Sequence, residues 1–263
     1  MSALADRLAP PRTAEGTTER RPGAQPGQRT EDDRLRRRLA RLRSRALLSL
    51  GPRLSTRMIQ RLENLSNWIA VSRWLDRREF TPRRWVVQRE ELFDLVGSEL
   101  ASVPTLYLEF GVSTGESMRY WSSLLRHPDS RLHGFDTFEG LPEAWTWNKG
   151  KGEFSAGGEP PKIDDSRVAF YKGMFQETLP TYSPPPIQQL IVNLDADLYS
   201  STITALRGVR HLLRPGTWLY FDEFRDRHHE LKAFDEFLDE TGLRVKLVGA
   251  DHTLTHVLFR QDQ

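Results

Sequence analysis

RVKLVGADHTLTHVLFR, residues 244–260, decides the architecture. Two apolar runs, 244–249 and 253–260, are separated only by Ala250-Asp251-His252. A parallel crossover needs a dozen or more residues, so these two strands must form a hairpin. Upstream, from Pro104 onward, short apolar runs alternate with helical stretches. The runs at 105–110, 131–136, 167–172, 188–194 and 217–222 predict strands, and 116–126, 201–213 and 227–241 predict helices. Such alternation argues for a parallel sheet with crossover helices. The expectation is an α/β fold over residues 104–263: a doubly wound, mostly parallel seven-stranded sheet closed by a C-terminal antiparallel hairpin.

The front of the chain differs in kind. Residues 1–30 are rich in Pro, Gly, Thr, Arg and Gln without apolar periodicity, which predicts a disordered tail. Residues 31–103 predict a helical segment. Within it, Leu35, Leu39 and Leu42 recur at helical spacing among arginines until Gly51-Pro52. That stretch reads as a solvated arm, or as a basic face for an anionic membrane or a partner. Residues 54–103 read as two or three helices whose Trp68, Trp74 and Trp85 pack against the sheet domain, and they suggest no chemistry. The tryptophans also make a homo-oligomer plausible.

Composition narrows the function. Of 263 residues, 38% are hydrophobic and 28% charged, as in soluble globular proteins, and no apolar run is long enough to span a bilayer. No stable membrane insertion is expected, and without an apolar leader the expected location is cytoplasmic. Cysteine is absent, which excludes disulfides, thiolate nucleophiles and Cys-ligated metals. Residues 1–50 carry 12 Arg against 6 acids, whereas the remainder is net −4. An acidic body argues against nucleic acid as the partner, although an adaptor working through the Arg-rich arm stays a competing reading.

Three strings carry chemistry. YLEFGVSTGES, residues 107–117, places Glu109, Gly111, Gly115 and Ser117 at a strand-to-helix turn. Glycine lets a ligand approach the backbone, and the helix beyond presents free N–H groups. The dinucleotide fingerprint fails because Ser113 stands at its second glycine. HGFDTFEGLPE, residues 133–143, ends the next strand with Asp136 and Thr137, suited to the hydroxyls of a ribose. Gly173, Met174 and Phe175 follow the third strand and would flank an adenine. These fit S-adenosylmethionine. The third string, LIVNLDADLYSST (190–202), joins TWLYFDEF (217–224) at the other end of the sheet. Asp195, Asp222 and Glu223 could converge there; carboxylates that close need a cation or protons, and oxygen-only ligation suits Mg²⁺. Residues 144–165 hold Trp145 and Trp147 among glycines and read as a lid.

E-x-G-x-x-x-G, D-x-F-E-G-L-P (136–142) and L-D-A-D-L-Y-x-S-T (194–202) together resemble a class I methyltransferase, and more narrowly the macrocin O-methyltransferase family of metal-dependent sugar methyltransferases. The resemblance spans residues 104–260. It implies methyl transfer from S-adenosylmethionine to a hydroxyl of a sugar or other small natural product. It also implies that Asp195, Asp222 and Glu223 hold Mg²⁺, with Asp195 beside the cofactor and Asp197 as the base. The family usually carries Asp-Asp where this chain has Asp222-Glu223. His228 and His229, just beyond, are the competing bases in a metal-independent enzyme.

Overall fold

A computed structural model describes residues 26–146, 149–186 and 188–262, with side chains from residue 32 onward. The expected disordered tail lies outside these residues up to position 25, and so does Trp147 of the expected lid. The chain divides into two compact units, residues 1–60 and 61–263. The first holds α1 (Pro26–Leu50), which begins inside the stretch read as tail, then a short 3-10 turn (Gly51–Arg53) and the start of α2 (Thr56–Arg77).

The second unit carries the sheet. After α2 come β1 (Arg84–Val86), α3 (Glu90–Leu100), β2 (Thr105–Phe110), α4 (Glu116–Leu124), β3 (Arg131–Asp136) and β4 (Val168–Lys172). Then follow α5 (Phe175–Thr178), β5 (Gln189–Leu194), α6 (Tyr199–Val209), β6 (Trp218–Phe221), α7 (Glu230–Thr241), β7 (Val245–Asp251) and β8 (Val257–Gln261). The order across the sheet is β1-β7-β8-β6-β5-β2-β3-β4, and only β8 runs against its neighbours. The sheet therefore has eight strands, not the expected seven. The extra one, β1, is three residues long inside a segment read as helical, and it pairs in parallel with β7. So short a strand has too few positions to show a period.

The hairpin is present, but its turn lies at 252–256 rather than 250–252. Asp251 explains the shift: its carboxylate accepts the Thr255 and His256 N–H groups and the Thr253 hydroxyl. It thereby makes a side-chain-capped turn.

Alternation places the two cores. Leu106, Leu108 and Phe110 of β2 and Leu190, Val192 and Leu194 of β5 face one layer, where α6 and α7 bring Ile203, Leu206, Phe234 and Phe237. Tyr107 and Ile191 face the other, covered by Phe93 and Val96 of α3 and Trp121 of α4. Period two along buried strands thus gives helices on both faces, as doubly wound sheets require. Trp74 is buried as the sequence reading expected, and its Nε1 donates to Asp235 Oδ1 at 2.7 Å, fixing the end of α2 to α7. Trp85 is not buried: it stands 47% exposed and stacks on His252.

His133 of β3 gives this fold a pH signature. It is 7% exposed, and its Nδ1 lies 2.7 Å from the Tyr182 hydroxyl. Burial, reinforced by Arg131, pushes its pKa down to about 4. The unfolded chain takes a proton near pH 6.5 and the native one only near 4, so stability should drain away as pH falls through that window. The full loss is about 3 kcal/mol at 1.36 kcal/mol per pKa unit. Urea unfolding from pH 7 to 4 checks this: His133→Gln should lose that part of the slope, and equal slopes in both proteins would refute it.

Candidate active site

Strand register builds the site. Phe110 of β2 pairs with Phe135 of β3 on one side and Leu194 of β5 on the other, and Leu194 pairs with Phe221 of β6. One residue further, Gly111, Asp136, Asp195 and Asp222 therefore lie in a single row across four strands. The ladder continues into the loops: Gly111 N–H donates to Phe135 O (3.0 Å), Asp195 N–H to Phe110 O (2.9 Å) and Asp222 N–H to Leu194 O (3.0 Å). Between β2 and β5 the order of strands reverses, and crevices that bind ligands open at such a reversal, outside the carboxyl ends of the strands.

A cavity of about 740 Å³ opens there. Of the residues expected at the cofactor, Gly111, Ser117, Asp136, Thr137, Gly173, Met174, Phe175 and Asp195 line it; Asp197, Asp222 and Glu223 line its acidic end. Four candidates do not. Gly115 caps α4 in the left-handed region, φ 78°, where glycine is favoured. Glu109 lies inside the sheet, 1% exposed, with Oε2 lacking a hydrogen-bond partner and its pKa pushed up to about 8 by burial. His228 is exposed and accepts from the Arg227 guanidinium. His229 is half-buried, and its Nδ1 is held by the Tyr199 N–H.

Gly111 and Asp136 hold the loop together as well as lining the cavity. A Cβ on Gly111 would stand 1.8 Å from the Asp195 carbonyl oxygen. The Asp136 carboxylate accepts N–H groups from Val112 (2.7 Å), Ser113 (2.8 Å) and Phe138 (2.8 Å). A carboxylate has about four acceptor sites, so one is left for a further donor.

At the acidic end, electrostatics separates the carboxyl groups. Burial, then Asp222 and Asp197, hold the Asp195 carboxyl well above its ordinary pKa. Burial and Glu223 push Asp197 up to about 7, with Lys149 pulling the other way. Glu223 is raised by burial and Asp222. Burial would raise Asp222 too, but its Oδ1 accepts from Tyr220 (2.8 Å) and Arg89 (3.1 Å) and lies 3.2 Å from His256 Nδ1. These donors hold it below its ordinary value. Glu230, fully buried, accepts the Glu223 N–H at 2.9 Å and is raised far up by burial. Asp197 adopts φ 57°, uncommon outside glycine and tolerated by Asp.

Arg89, Glu230 and His256 were invisible to sequence reasoning, as was the cation Lys149. Arg89 stands at the start of α3, in a segment that read as chemically silent, and reaches Asp222 across 133 positions. Lys149 lies over the Trp145 ring at 4.0 Å and near Phe154 at 4.8 Å, and all three line the cavity from the loop expected as a lid. Among its described residues that loop adds no strand to the sheet; Glu143, just before it, accepts from the Ser200 hydroxyl at 2.6 Å.

The fold is shared with two solved structures. The O-methyltransferase NovP superposes with a TM-score of 0.52 at 22% identity, covering 66% of this chain and 78% of that one. CalS11, a calicheamicin methyltransferase, gives 0.51 at 22% identity, over 66% and 80%. The family resemblance holds from β4 to β8: residues 159–261 match the macrocin O-methyltransferase (TylF) model. A Streptomyces olivaceus tetracenomycin rhamnosyl 4'-O-methyltransferase is 29% identical over 156 residues, half of this chain and 59% of the relative. The match thus spans less than two thirds of that relative's length.

Proposed function

We propose that this protein transfers a methyl group from S-adenosylmethionine to a hydroxyl of a sugar or sugar-bearing natural product, assisted by Mg²⁺. One observation carries the reading: Asp195 stands in the strand row between Gly111 and Asp222, so the glycine turn and the acidic end share one cavity. The family match and the rhamnosyl methyltransferase relative supply the substrate class.

The residues fit the cofactor. The backbone of 111–114 and Ser117 would take the methionine portion, Asp136 and Thr137 the ribose, and Gly173–Phe175 the adenine. Charge favours a hard divalent cation: Asp195, Asp197 and Glu223 are all raised by burial and by carboxylate neighbours, an excess that a cation relieves. Among the described residues no three such side chains are grouped as a ready-made metal site, so binding would draw the carboxylates together. Asp195, Asp222 and Glu223 would hold it. Asp222 is already oriented through Oδ1 by Tyr220 and Arg89, the kind of outer support that metal ligands receive. Bound there, Mg²⁺ would supply Lewis acidity to the acceptor hydroxyl.

The chain's own part is positioning and proton handling. S-adenosylmethionine brings an already activated methyl group, so the protein chiefly aligns the acceptor oxygen with it. Asp197, near pH 7 in its titration, takes the hydroxyl proton. Trp145, Lys149 and Phe154 form the wall of the cavity that keeps water from the reacting atoms.

A metal-independent reading has one observation in its favour: Arg89 already pairs with Asp222 at 3.1 Å and supplies a cation to the cluster. The two separate cleanly. Under the Mg²⁺ reading, chelation abolishes turnover with a rhamnosyl acceptor, and Asp195→Asn loses turnover with S-adenosylhomocysteine affinity within about threefold by calorimetry. The cation would act on the acceptor hydroxyl, not on the ribose or adenine. Turnover that survives exhaustive chelation, with Asp195→Asn near normal, establishes the metal-independent enzyme instead. Absence of S-adenosylhomocysteine binding in the wild type would overturn both.

A further inference from the structure

Helix α1 carries an apolar stripe that the sheet domain's chemistry does not use. Leu35, Leu39 and Leu42 are 56%, 57% and 57% exposed, and Ala46 continues the row. At 100° per residue these four positions fall in a band about 60° wide. Arg36 and Arg43 border it on one side and Arg38 and Arg45 on the other, each about 40–60° beyond its edge. Between residues 32 and 50 there are seven Arg against two Asp, while residues 51–263 are net −4. The positive charge is concentrated on this helix.

Three occupants are conceivable, and charge separates them. A second copy of α1 seated stripe to stripe, in either direction, brings flanking arginines against arginines; like charges at those positions oppose pairing. A nucleic acid would engage the arginines and leave the leucines in water. An anionic lipid surface takes both: leucines enter the boundary between headgroups and acyl chains, while arginine stems lie along it with guanidinium groups at the phosphates. Clusters of four to eight basic residues on such a helix attract acidic lipids. No described helix is long and apolar enough to cross a membrane, so contact would be at the surface.

We propose that α1 docks this protein reversibly on an anionic lipid surface through the Leu35–Leu39–Leu42–Ala46 stripe and its flanking arginines. This does not depend on the methyltransferase reading. Co-sedimentation of the full chain with vesicles tests it, using phosphatidylcholine alone and an equal mixture with phosphatidylglycerol. Binding to the mixed vesicles should be at least about tenfold tighter and should weaken as salt rises. Arg38→Gln/Arg45→Gln and Leu39→Gln/Leu42→Gln should each abolish it. All four side chains are exposed, so melting temperature and circular dichroism should stay those of the wild type. Failure to sediment with mixed vesicles overturns the proposal, as does undiminished binding by the leucine variant. So would a solution dimer that the leucine variant dissociates, or a preference for single-stranded oligonucleotide over mixed vesicles.

Discussion

Asp197→Asn should lower turnover by about 10²–10⁴-fold, the usual worth of a general base, while S-adenosylhomocysteine affinity and melting temperature hold. The carboxylate lies at the acidic end of the cavity, and burial with Glu223 brings it to about 7. An amide there cannot take the acceptor proton. Asparagine is the informative replacement because Asp197 sits at φ 57°, a conformation asparagine also tolerates, so the turn after β5 is kept. Removing one charge from a crowded acidic cluster relieves repulsion, so the folded state should be no less stable. Steady-state rates with saturating cofactor decide the matter. Turnover within tenfold of the wild type would remove Asp197 from the base role and leave His229, held against Tyr199 N–H, as the candidate to examine.

Gly111→Ala should destabilise the sheet domain on the order of 4 kcal/mol or more, the range reached only by a few identifiable mechanisms. Its φ is 90°, and the added Cβ would lie 1.8 Å from the Asp195 carbonyl oxygen, a backbone atom with no rotamer to change. Relief requires β2 and β5 to part at the point where the strand order reverses. Gly152→Ala isolates that clash. Gly152 has a similar φ of 84° but nothing within 4 Å of its Cβ position, so it should cost only the conformational penalty, about 1–2 kcal/mol. Urea unfolding of both variants measures the difference. Equal stabilities would show that the loop yields and that Gly111 matters only for approach of a ligand.

This second case corrects an emphasis that the sequence invites. A glycine in a strand-to-helix turn suggests room for a cofactor, and Gly111 does line the cavity. Its nearest constraint is a neighbouring strand 84 positions away, which no local pattern announces. Asp136 shows the same duality: three backbone N–H groups hold it, so it braces the glycine loop besides lining the cavity. His228 shows the reverse. Proximity in sequence to Asp222-Glu223 made it a candidate base, yet the turn before α7 carries it to the surface.

What the sequence determined by itself was whatever short range encodes. Alternating apolar runs and helical stretches specified a doubly wound sheet, because side-chain period follows directly from backbone geometry. A gap too short for a crossover made β7 and β8 antiparallel, and the strings around Gly111, Asp136 and Asp195 marked the ends of strands. Only the tertiary structure decided which of those ends meet. Register is set by packing between distant segments, and a slip of one residue would turn every side chain to the opposite face. That registration puts Gly111, Asp136, Asp195 and Asp222 in one row. It also folds Arg89 and His256 onto Asp222 and Glu230 beneath Glu223. These residues have no motif, because what places them at the site is burial beside a charge contributed from elsewhere in the chain.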